Sequence, residues 1–312
     1  MSVGRRAFVS AGAGLALALA GAPAARAQGL PSRGLPPQGH PRMRTVFLAG
    51  DSTAAQKYAD AAPETGWGMA LPFFLHKDLT VANHAVNGRS TKSFLDEGRL
   101  DPILTAIRPG DLLLVQFGHN DEKTADPTRY TEPWTTYQDN LRVFVEGARS
   151  RGALPVLATS VERRKFAADG TALRTHGAYP AAMREAALEA DVPLLDIEAL
   201  SLALWQKLGP EATKTYFNWT AAEQDNTHFN PPGAIEVARL VTAELLRTHV
   251  LSPRETRRLD DEIPADRITW PASEPVPGSQ PVSGSQPVSE SQPVSESQPV
   301  SESQPVSEES RP

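Results

Sequence analysis

Between residues 44 and 270 two kinds of apolar pattern alternate along the chain. Residues 45–49, 81–86, 112–117, 154–160 and 193–197 are short, nearly continuous aliphatic runs, most of them followed at once by Gly or Asn, which predicts strands buried on both faces. Between them, residues 69–78, 135–150, 178–190, 197–208 and 232–249 space their apolar side chains three and four apart, as Leu141, Phe144, Val145 and Ala148 do, which predicts amphipathic helices. Strand and helix in alternation require right-handed crossovers and a parallel sheet covered by helices on both sides. The expectation is therefore an α/β protein: a three-layer α/β/α sandwich with a mostly parallel, flavodoxin-like sheet. In such sheets ligands and chemistry gather at the carboxyl ends of the strands, so the segments that follow the strands carry the functional reading.

The 312 residues do not all belong to that domain. Residues 1–27 carry Arg5 and Arg6, then an Ala/Leu-rich apolar run, then Ala25-Arg26-Ala27 before Gln28, the order of a cleavable export signal. The paired arginines with Phe8 two places on resemble the twin-arginine type, and the apolar run is too short to span a bilayer. Residues 28–43 are Pro/Gly-rich and read as a leader, and residues 44–270 as the folded domain. Residues 271–312 hold a hexad repeat, Ser-Gln-Pro-Val-Ser plus a spacer, in which valine is the one aliphatic residue and every unit has a proline. That composition cannot bury enough surface to offset chain entropy and predicts a disordered tail.

Charge and cysteine content narrow the chemistry. Cleavage after Ala27 removes three arginines and takes the formal net charge from −6 to −9. Six glutamates and one arginine from Ser273 onward account for −5 of this, so the domain itself is only mildly acidic. It has no basic cluster of the kind that binds nucleic acid. The absence of cysteine removes disulfides, thiol catalysis and cysteine metal sites together.

After the first strand stands Gly50-Asp51-Ser52-Thr53. A serine on a glycine turn ahead of a helix can be a nucleophile with its own N–H near the reacting oxygen, a plain N-cap, or part of a phosphate cradle. A dinucleotide glycine pattern and a P-loop lysine are both missing. Asn87-Gly88-Arg89-Ser90 after the second strand is either a simple turn or a place where a substrate oxygen meets a bare backbone N–H. Gly118-His119-Asn120-Asp121 after the third offers an asparagine amide to the same space, with His119 read as structural. Late in the chain, Asp225 and His228 lie three apart on an expected loop, where the acid can fix the tautomer of the imidazole and stabilise its cation. A metal reading of that pair lacks the further ligands zinc needs.

In this order the blocks Gly50-Asp51-Ser52, Gly88, Gly118-His119-Asn120-Asp121 and Asp225-x-x-His228 resemble the SGNH (GDSL) hydrolases. With Gly66-Trp67-Gly68, Glu97-Gly98-Arg99 and Pro232-Gly233-Ala234 the chain is more closely similar to the rhamnogalacturonan acetylesterases of carbohydrate esterase family twelve, over residues 44–250. The resemblance implies Ser52 as nucleophile, His228 as general base and Asp225 as its orienting acid. The oxyanion hole would come from Ser52 N–H, Gly88 N–H and the Asn120 amide. It implies an exported esterase, periplasmic or extracellular, that deacetylates pectic rhamnogalacturonan and needs no cofactor or metal. A monomer that binds an acetylated polysaccharide or oligosaccharide, with no nucleic-acid partner and no membrane insertion after signal cleavage, is the expectation. Arg89 and Arg164 are candidates to pair with galacturonate carboxylates, and Trp67 and Trp219 to stack on sugar faces. The same chemistry on acetylated xylan or a small ester is the neighbouring alternative, and a non-catalytic carbohydrate-binding protein the alternative of another class. The segment 219–224 ahead of Asp225 is longer than the fungal pattern.

Overall fold

A computed structural model describes residues 43–273 of the chain. The expected export signal, nearly all of the leader and most of the repeat tail lie outside the described residues. Five parallel strands, β1 (Arg44–Gly50), β2 (Leu79–Asn83), β3 (Leu112–Gln116), β4 (Leu154–Ala158) and β5 (Leu194–Leu195), form one sheet in the order β2-β1-β3-β4-β5. That is the flavodoxin-like order, with its switch point between β1 and β3. A second sheet pairs the antiparallel strands β6 (Phe217–Trp219) and β7 (Gln224–Phe229).

Strand alternation sorts side chains into two cores. Val46, Leu48, Leu112, Leu114 and Val156 face α1 (Trp67–Ala70), α6 (Ile197–Ala212) and α7 (Pro231–Arg247). Phe47, Ala49, Leu113, Val115 and Leu157 face α2 (Thr91–Asp96), α3 (Leu100–Ala106), α4 (Gln138–Ser150) and α5 (Tyr179–Glu189). All five residues of β3 are buried, as the central strand of a doubly covered sheet must be. Burial of each large aliphatic side chain contributes about 1.5–3 kcal/mol, and the two layers hold the strand ends rigid where the site is built.

Local chemistry sets the element ends. Ser90 caps α2 reciprocally: its Oγ accepts from Ser93 N–H at 3.1 Å while its own N–H donates to Ser93 Oγ at 2.9 Å. Asn230 caps α7 by accepting from Gly233 N–H at 3.2 Å, with Pro231 and Pro232 in the first turn, where their missing N–H groups are not needed. The regular part of α6 stops at Gly209, whose φ of +75° precedes Pro210.

Three expectations need correction. Residues 69–78 are not one helix: α1 gives way to a tight turn at Leu71–Phe73, because Pro72 cannot donate to a continuing ladder. The second strand begins and ends earlier than expected, at Leu79–Asn83, although His84 and Val86 still donate to Leu48 and Gly50 of β1 at 2.8 and 3.0 Å. Asp225 and His228 lie on the strand β7 rather than on a loop, and residues 219–224 supply the hairpin that creates it.

Candidate active site

Ser52 follows the carboxyl end of β1, in a turn closed by Ala54 N–H and Ala55 N–H donating to Asp51 C=O at 3.2 and 3.1 Å. The turn is packed from behind by the start of α1. A Cβ on Gly66 would sit 1.9 Å from Ala55 C=O, so only glycine lets the two segments come this close. Ser52 Oγ lies 2.8 Å from His228 Nε2, and His228 Nδ1 lies 2.6 Å from Asp225 Oδ2. The second carboxylate oxygen of Asp225 accepts from the backbone N–H groups of Thr227 and His228 at 2.7 and 3.0 Å. Hydroxyl, imidazole and carboxylate therefore form one continuous chain, the geometry needed to move a proton from an attacking oxygen.

The charges agree with that geometry. Burial would push the Asp225 carboxyl up, but its bonds to His228 and Thr227 outweigh this and hold it below the ordinary aspartate value. Burial would push the His228 imidazole down, yet its hydrogen bond to the Asp225 carboxylate and the charges of Glu64 and Asp225 leave it above the ordinary histidine value. An imidazole of raised basicity held over a hydroxyl is suited to act as a general base.

Gly88 follows β2 and Asn120 follows β3, and these strands flank β1, so both loops border Ser52 at the same edge of the sheet. Gly88 has a φ of +76°, in the left-handed region that glycine tolerates. Asn120 is buried and its Nδ2 donates to Arg89 C=O at 3.0 Å, which joins the two loops that carry the expected oxyanion donors. An amide nitrogen has two hydrogens, so this bond still leaves one to donate.

Beneath Ser52, Asp51 is fully buried and accepts from Thr53 N–H, Thr53 Oγ1 and His119 Nδ1 at 2.9, 2.7 and 3.2 Å. Burial raises its pKa, but the His119 and Thr53 contacts prevail and hold it at about 2. Burial holds His119 down at about 4, against the pull of Asp51, so the ring is neutral at neutral pH and donates through Nδ1. The structural reading of His119 stands: it ties the β3 loop to the nucleophile turn. Asp121, also fully buried, accepts at Oδ1 from Thr91 N–H, Thr91 Oγ1 and Thr131 Oγ1 at 3.0, 2.5 and 3.1 Å, while its Oδ2 has no partner. Burial pushes its carboxyl up to about 7.

The four candidate substrate contacts separate. Arg89 lines a cleft of about 610 Å³ that begins at Gly88 and includes Lys92, Asp126 and Arg129. Trp67 is fully buried and its Nε1 donates to Gln116 Oε1 at 2.7 Å, so it is a core residue and cannot stack on a sugar. Arg164 and Trp219 stack on each other, with the guanidinium 4.6 Å from the ring centre. Arg164 also donates to Asn226 Oδ1 and Pro210 C=O at 2.9 and 2.6 Å. The pair therefore braces β7 from behind instead of offering a free carboxylate fork.

Sequence reasoning missed Lys57, Glu64 and Arg129. Each is a lone charged residue in a loop, and no spacing distinguishes such a residue from a solvated one. Among the described residues no three His, Asp or Glu side chains are grouped as metal ligands, and no helix is long and apolar enough to cross a membrane.

Residues 48–234 match the GDSL-like Lipase/Acylhydrolase family. The chain is 42% identical over 222 residues to rhamnogalacturonan acetylesterase RhgT of Bacillus subtilis, covering 66% of this chain and 94% of that protein. It is 44% identical over 196 residues to the probable rhamnogalacturonan acetylesterase YesY of the same organism, covering 63% and 89%. Among solved structures, protein YxiM of Bacillus subtilis superposes with a TM-score of 0.60 at 30% identity, over 66% of this chain and 57% of the other. The chain thus belongs to the GDSL-like lipase/acylhydrolase family, and is a carboxylic ester hydrolase of the SGNH type.

Proposed function

We propose that this protein is an exported serine acetylesterase that deacetylates plant cell-wall polysaccharide, most specifically pectic rhamnogalacturonan. The observation that carries the reading is the chain Ser52 Oγ, His228, Asp225, with contacts of 2.8 and 2.6 Å, in a sequence 42% identical to a rhamnogalacturonan acetylesterase. Export is supported by the arginine pair, apolar run and Ala25-Arg26-Ala27 at the amino terminus.

In this reading His228 Nε2 takes the Ser52 proton as Oγ attacks the acetyl carbonyl carbon. The carbonyl oxygen becomes an oxyanion facing the N–H groups of Ser52 and Gly88 and the Asn120 amide. The tetrahedral intermediate collapses, the bond to the sugar oxygen breaks, and that oxygen leaves with the proton from His228. Water then gives a proton to His228 and attacks the acetyl-serine, and acetate leaves as Ser52 regains its hydrogen. Asp225 keeps its charge throughout and stabilises the imidazolium. Arg89, Lys92 and Arg129 lie along the cleft at Gly88, each ion-paired there with Glu97, Asp96 and Asp126 in turn, so the lining carries no net charge and a galacturonate carboxylate would have to compete with these acids for the cations.

The test is acetate release from acetylated rhamnogalacturonan and acetylated xylan in parallel, with Ser52→Ala as background. Serine-dependent release mainly from the pectic polymer is expected. Release mainly from xylan, or only from small esters, would move the substrate while leaving the chemistry, and no serine-dependent release from any of them would overturn both.

A further inference from the structure

Lys57 is 1% exposed, an unusual position for an ammonium group, which must find compensating partners when it leaves water. It has two. Its Nζ lies 2.5 Å from Glu64 Oε1 and 2.6 Å from Asn87 Oδ1. Burial lowers its proton affinity, while the charges of Glu64, Asp51 and Asp225 oppose that loss.

The positions of these partners in the chain give the contact its meaning. Lys57 itself leaves the turn that carries Ser52. Asn87 is the residue immediately before Gly88. Glu64 immediately precedes Thr65, whose N–H donates at 2.8 Å to the carbonyl of Phe229, the neighbour of His228. One buried ammonium therefore joins the segments that carry nucleophile, oxyanion glycine and base. Building on the serine esterase reading above, we propose that Lys57 is a positioning residue: it fixes the Gly88 loop against the His228 strand and, with Glu64, balances the charge that His228 experiences.

The charged groups facing His228 are Asp225 on its own strand, Glu64 on the loop before α1 and Lys57 on the nucleophile turn. Glu64 raises and Lys57 lowers the affinity of His228 for a proton, so removing either one unbalances the pair in opposite directions. A role confined to packing would give no such opposition.

The experiment uses the full-length chain with 4-nitrophenyl acetate, a substrate too small to reach the polymer cleft. It compares the parent with Lys57→Met, Glu64→Gln and the double variant, measuring kcat, KM and the acid limb of kcat/KM, which reports the free-enzyme base. For Lys57→Met, kcat falls roughly 10- to 100-fold, as a displaced catalytic group typically costs, with KM nearly unchanged. Its acid limb moves to higher pH, that of Glu64→Gln moves to lower pH, and the double variant returns toward the parent. Acid limbs that stay in place or move together, or a Lys57→Met kcat equal to the parent's, would overturn the proposal. Should Lys57→Met fail to fold by circular dichroism, Glu64→Gln decides alone: a limb shifted down supports the proposal and an unshifted one overturns it. A Ser52→Ala protein as active as the parent would overturn the serine esterase reading itself, whereas serine-dependent activity indifferent to both charges would overturn this inference alone.

Discussion

Ser52 Oγ and His228 Nε2 stand 2.8 Å apart although 176 residues separate them in the chain. Two rigid elements set that distance: the buried carboxyl end of β1 and the hairpin β6–β7, which is held by Thr65 N–H to Phe229 C=O and by the Arg164 stack on Trp219. With hydroxyl and imidazole acting as a unit in the proposed mechanism, Ser52→Ala is expected to abolish acetate release. Asp225→Asn, which leaves the ring without its anion, lowers kcat by roughly 10³–10⁴-fold. Initial rates on a small acetyl ester check both.

In the proposed mechanism Asn120 is the one oxyanion donor that belongs to a side chain. Asn120→Ala lowers kcat roughly 10²–10³-fold, the cost of one lost oxyanion donor, with KM little changed. A variant of near-parental turnover would remove Asn120 from the oxyanion hole.

The pH dependence follows from the raised His228 value. The base works only when neutral, so kcat/KM falls as pH drops through its pKa, and the inflection lies above the ordinary histidine value of 6.5. In Asp225→Asn, which removes both the hydrogen bond to an anion and its charge, the residual activity inflects at lower pH. A pH profile of both proteins tests this, and an inflection that stays in place would show that Asp225 does not set the basicity of His228.

Asp121 gives a stability prediction of opposite sign to that of an ion-paired acid such as Asp225. Its folded pKa is raised to about 7 by burial, so the folded state favours the protonated form. Its contribution is fully present below the unfolded value near 4 and is lost as pH rises through about 7. Asp121→Asn removes this titration, so between pH 4 and 7 its melting temperature falls less with rising pH than the parent's. Parallel melting curves across that range would overturn the assignment.

Trp67 separates core from cleft. Trp67→Phe leaves the Gln116 oxygen without its buried donor and costs about 1–3 kcal/mol of stability, read by urea denaturation. Since the indole is out of reach of a sugar, KM for an acetylated oligosaccharide stays near the parent value.

Much of the architecture was legible in the sequence because its signals are local. The aliphatic run at 112–117 became β3 and the spaced Leu141, Phe144, Val145 and Ala148 became the inner face of α4. Strand periodicity and helix periodicity are set by backbone geometry within a few residues. The blocks around Ser52, Gly88, Asn120, Asp225 and His228 were also readable, since each follows a strand or precedes a helix that the pattern had located.

What the sequence alone determined was the five strands of the central sheet with their parallel arrangement, the long helices α4 to α7, and the residue types available at the strand ends; the β6–β7 hairpin and the short helices α2 and α3 were not among them. Only the tertiary structure decided which of those residues meet. It sent Trp67 into the core, turned Arg164 and Trp219 toward each other behind β7, and buried Lys57 between Glu64 and Asn87. The physical reason is that these outcomes depend on desolvation and on partners 7 to 62 residues away along the chain. A lone lysine, arginine or tryptophan carries no local signal of what will be packed against it.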